Sequence, residues 1–147
     1  MTGTVLIDDH NLLRVLLGDE PDGLRAAGSG IATTGLWYHR LCRAVADRTV
    51  AGAMSRRLGG LDKGVAAEVT SLIVALPSDI ELLSLRALGW PMGELASSGV
   101  RLNLLSLEAL AAARHLDAEI CLAAANNNGP LIAAARTVGV PLRRLPN

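Results

Sequence analysis

Short apolar runs that end at polar turn residues alternate along this chain with longer stretches whose apolar positions recur every three or four residues. That alternation predicts strands and helices in the order of an α/β domain. The clearest case comes first. Thr4-Val5-Leu6-Ile7 is an apolar and β-branched run that stops at Asp8-Asp9, and Leu12, Leu13, Leu16 and Leu17 follow at helical spacing. A continuous apolar run reads as a parallel strand buried on both faces, and such a strand delivers the two acids to the carboxyl rim of its sheet. Ligands of open α/β sheets bind at that rim.

Gly18 to Gly23 punctuates the first helix, and Gly28-Ser29-Gly30 leads into Ile31-Ala32, with Thr33 or Thr34 placed to cap a helix from Leu36 to Arg48. Met54 to Leu58 extends a helical hairpin broken at Gly59-Gly60. The pattern next predicts a helix from Asp62 to Leu76, stopped by Pro77. Ser78 caps another, with Ile80, Leu83, Ala87 and Leu88 at helical spacing, and Trp90-Pro91-Met92 begins a short one ending near Ala96. Val100 to Leu105 suits either element. Ser106 opens a helix that carries Glu108, Leu110, Ala111 to Ala113 and His115. Two strands, Glu119 to Leu122 and Val140 to Leu145, flank a helix from Leu131 to Val138. No repeat or linker interrupts the series, so the expectation is one domain over residues 1–147, of α/β class, with three layers (α/β/α) around a central parallel sheet.

Composition narrows the function classes. Fourteen basic and fourteen acidic residues cancel, so no global charge draws the chain to nucleic acid or membrane, and any such binding must be local. The one local excess is Arg40, Arg43, Arg48, Arg56 and Arg57, opposed in that segment only by Asp47: either a solvated helical face or a surface for an RNA backbone or a partner. The aromatics are Trp37, Tyr38 and Trp90, with no Phe, so a core of Ala, Leu and Val requires close-packed layers. Cys42 and Cys121 are too few and too far apart for a zinc cluster or a disulfide framework, and read as reduced core thiols. Without a signal-peptide pattern or an apolar run of membrane-spanning length, the expectation is a cytoplasmic protein with no membrane partner. High apolar content in the segments 36–58 and 72–95 predicts an exposed patch and a homodimer.

Two families share features with this pattern. Leu6-Ile7-Asp8-Asp9-His10 resembles the start of response-regulator receiver domains, which hold magnesium with adjacent acids; yet no aspartate ends a predicted third strand, and the single lysine, Lys63, lies in a helical segment. Over nearly its whole length the chain resembles PIN domains, the fold of many prokaryotic toxin ribonucleases. The resemblance rests on Asp8 ending strand one, a helical middle, the Ser106-Leu107-Glu108-Ala109-Leu110 helix start, and the closing strand, polar turn, Ala-rich helix and strand from Ile120 to Leu145.

That resemblance implies a metal-dependent endoribonuclease of toxin type, using Mg²⁺ or Mn²⁺, with RNA as substrate and an antitoxin-like protein as a partner. Asp8 and Glu108 fall on the family's catalytic metal carboxylates, and Asp9 is a further metal candidate beside Asp8. Asn126 falls where the family has a third acid and offers a neutral ligand. The remaining family acid falls near Trp37, where no carboxylate stands. Phosphodiester hydrolysis of this kind relies on clustered carboxylates holding ions that activate water and offset charge on the leaving oxygen. The losses at positions 37 and 126 therefore imply a weakened nuclease, or a catalytically silent PIN-like module that binds RNA or a protein partner. From the residues alone, Asp9 serves equally as a helix cap, His10 and His39 as surface or capping groups, and Asn126 to Gly129 as a turn.

Overall fold

A computed structural model describes residues 3–25, 29–47 and 57–146. Five parallel strands, β1 (Thr4–Ile7), β2 (Gly30–Thr34), β3 (Ile80–Leu83), β4 (Glu119–Leu122) and β5 (Leu142–Arg144), form one sheet in the order β3-β2-β1-β4-β5. The helices of eight or more residues among the described ones are α1 (Asp9–Leu16), α2 (Gly35–Ala46), α3 (Lys63–Val74), α4 (Leu85–Ser97), α5 (Leu104–Leu116) and α6 (Gly129–Val138).

Strand alternation divides the core in two. Leu6, Ala32, Ile120 and Leu122 point to one face and pack with apolar residues of α4, α5 and α6. Val5, Ile7, Ile31 and Cys121 point to the other, against α1, α2 and α3. The result is the expected three-layer α/β/α arrangement around a parallel sheet. In the central strand β1, Val5, Leu6 and Ile7 are buried on both faces, and only Thr4 at its start is partly exposed. Ala109 and Ala111 to Ala113 are almost fully buried, and their small side chains let α5 lie close to the strands. Trp37, at the start of α2, is wholly buried in the same cluster as α5. Cys121 and Cys42 are free thiols, and burial pushes Cys121 up to about 11, which leaves it unreactive.

Three expectations need correction. Ile80 to Leu83 is an edge strand, not part of a helix capped by Ser78. Its buried residues are Ile80 and Leu83, three apart, with Glu81 and Leu82 exposed between them, and that spacing imitates a helical stripe. Pro91 lies inside α4 and does not begin a helix; lacking an N–H, it cannot make the usual helical bond to the carbonyl of Ala87, an exposed residue. The late helix is capped by Asn103, whose Oδ1 accepts from the Ser106 N–H at 2.9 Å, so α5 starts before Ser106. The expected extension of α2 to Arg48 and the helix from Met54 fall largely outside the described residues.

Arg143 ties the far end of the sheet together. Its guanidinium pairs with Glu119 on the neighbouring strand and donates to the carbonyls of Gly23 and Leu24, in the loop before β2. Arg143→Met keeps the aliphatic stem and removes these bonds. It is expected to lower stability by about 1–3 kcal/mol, since charged hydrogen bonds to a protein acceptor carry about that much. Urea unfolding measures the loss, and an unchanged midpoint would contradict it.

Candidate functional site

The polar residues at the carboxyl rim of the sheet are held by short-range rules first. Asp8 follows β1 directly and caps α1, with Oδ1 accepting from the Asn11 N–H at 3.0 Å. Its other oxygen accepts from the Ala123 N–H at 3.0 Å and from Asn126 Nδ2 at 2.9 Å, both in the loop after β4. Asn11 returns the link, donating from Nδ2 to the Cys121 carbonyl at 3.1 Å. Thr34 caps α2 through a bond from the Trp37 N–H, and Thr33 Oγ1 donates to the Ile7 carbonyl, so β1 and β2 end in a shared polar layer.

Asp9 is the first residue of α1 and is fully buried, so the cap expected of it belongs to its neighbour. Its Oδ1 accepts from the His10 N–H at 3.0 Å. Arg40 Nε, from α2, lies 2.7 Å from Asp9 Oδ2. The N–H is not aligned with that oxygen, so Oδ2 has a charge partner but no directed hydrogen bond. The arginine is thus anchored to a buried acid, and is not simply part of a solvated face. Arg43 is exposed, and Arg48 lies outside the described residues.

Glu108 is also buried, and Oε1 accepts from the Leu36 N–H at 2.8 Å. Leu36 is in the first turn of α2, where backbone N–H groups lack partners within the helix and the dipole favours a carboxylate. Oε2 faces Gly35, whose added Cβ would stand 3.7 Å from it. Asp8 and Asn126 are therefore in direct contact, while Glu108 is bound at the start of α2. Sequence reasoning gave Asn11 no role, and read Thr33 as a helix cap, Ser106 as a helix start and Asn128 as part of a turn. The last two join α5 to α6 by a bond from Asn128 Nδ2 to Ser106 Oγ at 2.8 Å. For Asn11, Thr33 and Ser106 the available signal was a small polar residue inside an otherwise apolar element.

The donor set suits a divalent ion poorly. Magnesium and manganese take carboxylate oxygens with open lone pairs in near-octahedral geometry. Here both Asp8 oxygens are engaged, Asn126 presents its N–H₂ and not its carbonyl, and the Asp9 carboxylate already faces a guanidinium. Among the described residues no three His, Cys, Asp or Glu side chains are grouped as a metal ion would need.

Burial pushes the Asp8 carboxyl above its ordinary 3.8, its three donors pull it down, and the Asp9 charge adds to the rise. A carboxyl whose native pKa is raised stabilises the fold most below its unfolded pKa, and that contribution is lost as pH climbs through the native value. Asp8→Asn does not titrate. The stability gap between the two proteins should therefore shift in favour of the unmodified chain as pH falls from neutral into the ordinary carboxylate range. Denaturant unfolding across that range reads the gap, and a constant gap would contradict the assignment.

Compared with protein-family models and with curated proteins, the chain matches none. The receiver resemblance also loses support from topology: receivers have the strand order 2-1-3-4-5, whereas β1 here lies between β2 and β4. Among the described residues, no helix is long and apolar enough to cross a membrane.

Proposed function

We propose that this chain is a PIN-like module, of the toxin-ribonuclease type, that binds RNA and hydrolyses it weakly or not at all. One observation carries the second half of that reading: Asp8, which ends β1 where the catalytic acid is expected, has both oxygens taken by protein donors, the Asn126 amide among them. An amide that donates to a carboxylate does locally what a cation would do, without bringing a charge that activates water. Arg40 plays the corresponding part at Asp9. The first half draws on the order in which acids and elements reach one rim of the sheet, and on exposed Arg43 beside Arg40 on α2.

Fluorescence anisotropy with labelled single-stranded RNA, followed by gel analysis of the same RNA with Mg²⁺ or Mn²⁺, tests both halves. The expected result is binding that weakens steeply with salt, as phosphate contacts require, with little cleavage. Absence of binding would overturn the RNA reading. Efficient cleavage abolished by Asp8→Asn would overturn the silent-site reading.

The same proposal includes a cytoplasmic setting and a homodimer. Leu85 and Trp90 on α4 are 57% and 79% exposed and offer apolar area for self-association. Light scattering at high micromolar concentration is expected to give twice the 15.3 kDa chain mass; a monomer there would contradict self-association.

A further inference from the structure

The sheet order reverses at β1, which has β2 on one side and β4 on the other. In open α/β sheets the crevice outside the carboxyl ends of the strands at such a reversal is where ligands enter, because the flanking loops diverge there. In this chain it is a cavity of about 180 Å³. His10 and Arg14 of α1, Ala123 and Ala124 after β4, Leu145 after β5, and Arg57 line it. The volume is many times what one water needs, so a phosphate group fits.

The charges around the cavity do not balance. Arg14 Nη2 and Arg57 Nη2 lie 3.2 Å and 3.0 Å from the same oxygen of Asp19, so two guanidiniums share one carboxylate. A third, Arg144, donates to the carbonyl of the lining residue Ala124 at 2.7 Å. The nearest buried acids are already occupied, Asp8 by its three donors and Asp9 by Arg40. In a chain of zero formal net charge, this concentrates positive potential at one crevice. Guanidinium pairs suit phosphate oxygens, which they bind bidentately. The apolar part of the lining, which includes Leu13, Leu145 and Pro146, offers a surface for a sugar or base.

We propose that this crevice is a phosphate subsite for a nucleotide, held by Arg14 and Arg57, which exchange part of their contact with Asp19 for the ligand. The proposal deepens the RNA-binding reading: an RNA strand and a free mononucleotide carry the same chemistry, and the experiment separates them.

Calorimetry with adenosine monophosphate, with inorganic phosphate and with adenosine tests the site itself. The nucleotide and phosphate are expected to bind and adenosine not to. The double variant Arg14→Gln/Arg57→Gln should weaken nucleotide binding tenfold or more, while Arg86→Gln, on α4, leaves it unchanged. Thermal melts check folding, and Arg14→Lys/Arg57→Lys, which retains the charge, should recover part of the affinity. Adenosine binding as well as its monophosphate, or a folded double variant with unaltered affinity, would overturn the proposal. With labelled RNA, the double variant should reduce the logarithmic salt slope by about one per arginine if the strand is the source of the phosphate. An unmodified protein that binds the monophosphate but no RNA would keep the subsite and remove the RNA reading.

Discussion

Asn126→Asp is expected to tighten Mn²⁺ binding by about 10–100-fold, the usual scale for a ligand or supporting group at a metal site. The reason is the contact that replaces the amide. Asn126 Nδ2 stands 2.9 Å from an oxygen of the buried Asp8 carboxylate, so an aspartate there would set oxygen against oxygen. Two carboxylates at that distance cannot both ionise without a proton or a cation between them. The variant should melt lower than the unmodified protein without metal, and recover when Mn²⁺ is added. Calorimetry and a thermal melt, each with and without the ion, read the two effects. A variant with an unchanged melting temperature and no heat of Mn²⁺ binding would show that Asp8 and Asn126 do not form an incomplete metal site.

Trp37→Glu is expected to unfold most of the protein. Removing a large aromatic from a packed core costs about 3–5 kcal/mol, and a domain of this kind has only about 5–15 kcal/mol in total. Trp37 is fully buried among Leu6, Leu88 and Leu110, so the glutamate that the family resemblance implies at this position would have to ionise inside an apolar cluster. Mn²⁺ should not rescue it. Trp37→Phe should be far milder. The indole Nε1 is buried without a hydrogen-bond partner, and an unmet donor of that kind costs about 1–3 kcal/mol, which the phenyl ring removes together with some packing. Urea unfolding orders the variants, and a Trp37→Phe protein as unstable as Trp37→Ala would contradict this account of the site.

Much of this architecture was legible in the chain because local signals and tertiary demands agreed. Thr4 to Ile7 is apolar at every inward position, and Asp8 is a good helix cap as well as a rim acid. Thr34 caps α2 and Asp62 caps α3, as such residues tend to. β3 was not legible, because an edge strand buries only some of its residues, and Ile80 and Leu83 happen to be three apart. At the rim, residue types could be read but partners could not. Glu108 finds the Leu36 N–H across 72 positions, and Arg40 finds Asp9 on another helix. Spacing along a sequence cannot distinguish an acid open to a metal from one already satisfied by backbone and guanidinium donors.

The proposed loss of activity rests on the carboxylates at the carboxyl rim being satisfied from within the protein, Asp8 by three donors and Asp9 by Arg40. Calorimetric titration of the unmodified chain with Mn²⁺ at neutral pH, with Asp8→Asn as reference, tests it most directly. The account predicts no saturable binding in the micromolar range and the same trace for both proteins. A tight, saturable site in the unmodified protein that vanishes in Asp8→Asn would contradict it.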